Sequence, residues 1–148
     1  MANKINGPID AALKITPAAT KTAAFDSSAF DFSQGANVFD DAFPLSGGGI
    51  PMQAVIPVTS FNVGGTDETY TFTVQTSVDG VSGWEPCSRA ASVGAVAANP
   101  TDTLAQPGLL FLEFAVVNKF YRLDLAVAGT SPSIVFGDCY FNPIGRGL

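Results

Sequence analysis

Residues 68–77 constrain the fold more tightly than any other stretch. Tyr70, Phe72 and Val74 alternate there with Thr69, Thr71, Thr73 and Gln75. Alternation at period two sends the large apolar side chains to one face of a strand and a threonine ladder to the other. That is the pattern of an antiparallel sheet with one face on a core and one face in water. Turn chemistry brackets the strand: Gly64, Gly65, Thr66 and Asp67 precede it, and Val78, Asp79, Gly80, Val81, Ser82 and Gly83 follow.

The rest of the chain repeats this plan. Residues 25–33 read as a first strand or strand pair, with Phe30 and Phe32 on one face and Asp31 opposite. Residues 52–58 form a second strand, which Pro57 pushes toward an edge or a bend. Residues 84–92 make a further strand. The run 109–117 is almost continuously apolar, which predicts burial on both faces. After a turn at Asn118 and Lys119, residues 120–127 point Tyr121, Leu123, Leu125 and Val127 one way and Arg122 and Asp124 the other. Residues 133–142 are a last strand, and 143–148 a short tail. The loop 34–49 ends in Gly47, Gly48 and Gly49, followed by Ile50 and Pro51. A phosphate-binding loop would need Gly-Lys-Ser/Thr at that point, so this loop is a flexible connection.

Short strands with turn signals at this spacing, and almost no helix, predict an all-β fold: an antiparallel β-sandwich, jelly-roll-like. An immunoglobulin domain is not expected, because Trp84 stands just before Cys87 rather than well after a first cysteine. Residues 1–24 are rich in Ala, Thr, Pro and Lys. Ala11, Ala12, Leu13 and Lys14 could begin a helical turn, but Pro17 would end it. The expected organisation is an extended N-terminal arm over 1–24 and a sandwich domain over 25–148.

Charge follows the same division. Residues 1–24 hold Lys4, Lys14 and Lys21 against Asp10, while residues 25–113 hold ten acids against Arg89 alone. A mildly basic arm therefore precedes an acidic body. The net charge of −6 argues against a nucleic-acid partner, since phosphate contacts need clustered Lys and Arg. The chain has no histidine, which excludes imidazole acid–base chemistry and histidine metal sites. Asp40 and Asp41 lack the further oxygens a calcium site needs, and no Gly-x-Ser-x-Gly elbow is present. Neither a catalytic site, a cofactor nor a metal is expected. No apolar stretch has the length of a signal or membrane segment, so no membrane partner is expected and the chain reads as made in a cytoplasm. Cys87 and Cys139 read as small buried hydrophobes, with a disulfide between them left open. Charged residues make up 14% of the chain, against a usual level of about 25%. A surface so neutral suits packing against other proteins.

Two stretches carry a family resemblance. One runs from Tyr70 through Asp79 to Trp84: a strand, an Asp-Gly turn and an aromatic. The other is Phe120, Tyr121, Arg122, Leu123, Asp124 and Leu125. With the layout of residues 20–142, the chain resembles the capsid cement, or decoration, proteins of podovirus-type tailed bacteriophages. The resemblance implies a jelly roll on the outside of an icosahedral shell, clamping junctions of the major capsid protein as a dimer or trimer on the virion. It implies no residue-level site. The arm is the expected capsid contact, with Lys4, Ile5, Ile9, Leu13, Ile15 and Lys21 as anchors and Ile144 and Arg146 as a second contact. The alternative is a glycan-binding module of a phage fibre or tail, which would show exposed aromatics near Trp84 and Tyr70.

Overall fold

A computed structural model describes residues 13–32, 49–94, 103–104 and 107–144. The strands are β1 (Lys14–Thr16), β2 (Ala19–Lys21), β3 (Phe25–Asp26), β4 (Phe30–Asp31), β5 (Ile50–Phe61), β6 (Thr69–Ser77), β7 (Glu85–Pro86), β8 (Ala91–Gly94), β9 (Thr103–Leu104), β10 (Gly108–Val116), β11 (Phe120–Ala128), β12 (Ile134–Phe136) and β13 (Cys139–Pro143). Every pairing is antiparallel except that of β8 with β9.

The strands form two sheets. In the first, β5 takes β10 along one edge. Its other edge is shared: β13 pairs with Met52 to Val55 and β12 with Val58 to Phe61. Beyond these, β1 joins β13 and β2 joins β12. In the second sheet β11 sits between β6 and the short pair β3 and β4, while β6 carries β7 and β8 on its far side. Broken strands count as single staves here: β1 with β2, β3 with β4, β7 with β8, and β12 with β13. The first sheet then orders the first, eighth, third and sixth staves, and the second sheet the second, seventh, fourth and fifth. Two Greek keys folded into two facing sheets are a jelly roll, the subtype expected from the sequence.

The staves alternate as the sequence predicts. Tyr70, Phe72 and Val74 of β6 and Tyr121, Leu123 and Leu125 of β11 are buried between the sheets, facing Met52, Ala54 and Ile56 of β5. Aromatic rings fill one end of this core. Phe32 lies 4.8 Å from Phe30 and 5.3 Å from both Tyr121 and Phe141, and Phe114 lies 5.2 Å from Tyr121. Edge and tilted contacts of this kind add about 0.5–1.5 kcal/mol per pair beyond area burial.

Three expectations need correction. First, the described part of the arm is not an arm. Residues 14–21 supply the outermost stave of the first sheet, with Leu13 and Ile15 only 4% and 7% exposed in the core. The spacing of Leu13 and Ile15 is strand spacing, and burying them costs less than leaving them wet. Second, β10 is buried on one face only. Leu110, Leu112, Phe114 and Val116 point inward, whereas Leu109, Phe111, Glu113 and Ala115 point out. Third, residues 84–92 and 133–142 are each broken. The last stave turns at Gly137, whose N–H donates to the Pro57 carbonyl at 2.8 Å, and its register against β5 shifts beside that point.

Candidate functional site

Of the residues expected to touch a capsid, the described ones do not gather. Lys4, Ile5, Ile9 and Arg146 lie outside the described residues. Leu13 and Ile15 are core residues, so they offer nothing to a partner. Lys21 is half-buried, its ammonium 3.9 Å from the centre of the Phe25 ring. Ile144 is half-buried and its N–H donates to the Pro51 carbonyl at 3.3 Å. Lys21 shares a row with Phe61 through Ile134, at the opposite end of β5 from Pro51. Ten residues of strand put these two positions roughly 30 Å apart.

The outer face of the second sheet carries a polar cluster. Arg122 projects there from β11, and its Nε donates to Gln75 Oε1 at 2.7 Å. Its Nη1 stands 3.3 Å from Asp26 Oδ2, and the guanidinium lies over the Trp84 ring at 4.5 Å. Asp124 is directly opposite Asp26 in the ladder. Burial, then the hydrogen bond and charge of Asp26, push the Asp124 carboxyl up to about 6, against the pull of Arg122. Two carboxylates this close favour a shared proton. Further along, Thr71 and Ser92 hydroxyls meet at 3.0 Å, part of the expected threonine ladder. Trp84 is half-buried on this face, but Tyr70 is in the core. The Tyr70 hydroxyl accepts the Ser133 N–H at 2.8 Å and donates to the Asn62 carbonyl at 2.7 Å. The aromatic pair expected of a glycan-binding face is therefore split between surface and interior.

Among the described residues, large apolar side chains are more than half exposed in two places. On the outer face of the first sheet Leu109 and Phe111 are 54% and 52% exposed. They stand opposite Pro57 and Val55 of β5, and Val55 stands opposite Tyr140 of β13. Lys14 reaches over Tyr140 at 5.9 Å and pairs with Asp138 at 3.4 Å, closing the strip on its far side. The second place is the loop after β6, where Val78 and Val81 are 79% and 83% exposed. Asp79 fixes that loop: its Oδ1 accepts from the Ser77 hydroxyl and from the Val81 and Ser82 N–H groups at 2.9–3.0 Å. These bonds hold its carboxyl well below the usual carboxylate range. The outward row of β10 is hidden in the sequence by the neighbouring leucines, although Glu113 shares its parity and marks it as the wet face.

Glu68 braces two loops of the fold. Glu68 is fully buried, yet its carboxylate accepts the N–H of Gly65 at 2.9 Å and of Ser131 at 3.2 Å, tying the loop before β6 to the loop after β11. A Cβ on Gly94 or Gly129, both at positive φ, would strike the Glu68 backbone, so glycine is required at both. Cys87 and Cys139 are free thiols, and burial pushes each up to about 12, far from a nucleophile's range. Among the described residues no three His, Cys, Asp or Glu side chains gather as a metal ion would require.

No family model and no curated protein matches this sequence. One similar solved structure is that of the N-terminal CBM22-1–GH10 modules of a Clostridium thermocellum endo-1,4-β-D-xylanase with xylohexaose. It shares 9% identity at a TM-score of 0.41, over 95% of this chain and 28% of that one. This chain thus spans little more than a quarter of that neighbour's length.

Proposed function

We propose that this protein is a structural component of a phage virion: a cement protein that binds the outer surface of the icosahedral major-capsid-protein shell and stabilises capsomer junctions. The observation that carries this reading is the pairing of a rigid, braced jelly roll with apolar side chains held out to solvent. Leu109, Phe111, Val78 and Val81 are all more than half exposed, on a strand and on a hydrogen-bonded loop. Rigid apolar projections suit contact with other proteins, because little ordering entropy is lost on docking. The resemblance of residues 20–142 to phage cement proteins supports the same reading. Such a protein acts by avidity, with modest contacts repeated over neighbouring capsomers of one shell.

Co-sedimentation of the purified chain with emptied shells of the matching major capsid protein tests this. Saturable binding at fixed stoichiometry, and shells that survive higher temperature when decorated, are the expected results. Shells that sediment without the protein at tens of micromolar would overturn the reading. The rival is a glycan-binding module, and a hit on a glycan array, lost on Trp84→Ala, would favour it. Burial of Tyr70 leaves that rival one aromatic platform rather than two.

A further inference from the structure

We infer that two copies of this chain join edge to edge through β10, in an antiparallel two-fold pairing that merges their first sheets into one. The jelly roll has four sheet edges, and three are blunted. The stave of β1 and β2 is split into three-residue pieces, carries Lys14 and Lys21, and has a register shift against β13. The stave of β3 and β4 consists of two-residue pieces. The edge of β8 is covered by β9. Breaks, lysines and covering strands are the devices by which sheets avoid joining one another.

β10 has none of them. It pairs with β5 without a shift over nine residues, from Gly108 opposite Val58 to Val116 opposite Ile50, and among the described residues no strand pairs with its other edge. It holds no proline and one charge, Glu113. A free row of backbone N–H and C=O groups is complementary to another strand, and a strand edge is complementary to itself under a two-fold axis.

The side chains select the second copy and the register. A two-fold axis at Leu110 sets Leu109 of each copy opposite Phe111 of the other, so the two exposed large apolar residues of the strand line up with their copies as one strip on the outer face. Aliphatic–aromatic cross-strand pairs stabilise such a ladder. The same register sets each Glu113 opposite Pro107 of the other copy, so the two carboxylates stay apart. An axis at Glu113 would instead place them face to face, which a ladder disfavours.

The test uses the full chain alone, so its failure would leave the shell-binding reading standing. Sedimentation velocity between about 1 and 100 µM should give twice the 15.3 kDa chain mass at the upper end. Phe111→Lys should return it to one chain mass with an unchanged circular dichroism spectrum. Val78→Lys, the same kind of change on the distant loop, should leave the dimer intact. Leu109→Cys with Phe111→Cys should give an interchain disulfide in the dimer. Should the lysine variant at Phe111 fail to fold, amide exchange on the natural chain decides: slowing at residues 109–113 with rising concentration is expected. A monomer at 100 µM, a trimer, a dimer that survives Phe111→Lys, or exchange independent of concentration would each overturn the pairing.

Discussion

Replacing Asp124 by asparagine should stabilise this protein at neutral pH and do nothing in acid. Asp124 faces Asp26 across the ladder, and its folded carboxyl sits at about 6 rather than 3.8. Between those values the folded state keeps a proton that the unfolded state has released, so stability falls as pH rises through that window. The gap corresponds to at most ~3 kcal/mol at about 1.4 kcal/mol per tenfold change in proton affinity. Asp124 is only partly shielded and Asp26 is 44% exposed, so screening by water reduces this to about 1–2 kcal/mol. Asparagine keeps the shape, can donate to Asp26 and leaves the Arg122–Asp26 pair in place. Urea unfolding followed by Trp84 fluorescence, at about pH 3 and about pH 7.5, measures the difference between the variant and the natural chain. Equal stabilities at the lower pH and a gain of about 1–2 kcal/mol at the higher, or roughly 3–6 °C in Tm, are expected. If Asp124→Asn destabilises at pH 7.5, Asp124 is an ionised partner of Arg122 and the shared-proton account is wrong.

Other perturbations probe the remaining assignments. Leu13→Ala should cost about 2–4 kcal/mol in urea melts, the price of a core leucine, whereas a true arm residue would change stability by under about 0.5 kcal/mol. Phe32→Ala removes a ring from the aromatic end of the core and should cost about 3–5 kcal/mol by the same measurement. Glu68→Ala removes the buried charged acceptor that ties the Gly65 and Ser131 N–H groups together and should cost about 2–3 kcal/mol. A milder loss for Glu68→Ala than for a surface Glu85→Ala control would remove Glu68 from its bracing role. Cys87 and Cys139 should resist thiol reagents at about pH 8 until the chain unfolds, because burial keeps both protonated.

What could be read from the sequence, and what could not, divides along a physical line. Alternation within one strand is local: Tyr70, Phe72 and Val74 against three threonines, or Tyr121, Leu123 and Leu125 against Arg122 and Asp124, name their inner faces without any partner. The all-β class, the sandwich and most of the core follow from such runs. Pieces of two or three residues hold too little alternation to be seen, which is why Leu13 and Ile15 look like an arm. Only pairing with β13 and β12 makes residues 14–21 a stave of the roll. The outward row of β10 was hidden for the opposite reason. Its apolar run suggests burial on both faces, but whether the second face is covered depends on where that strand falls in the sheet. The meeting of Asp26 with Asp124, and of Trp84 with Arg122, is also decided by register between distant segments. A side chain's facing is set by its own neighbours in the chain, but its company is set by the strand beside it, and that strand is chosen only when the two sheets close on one core.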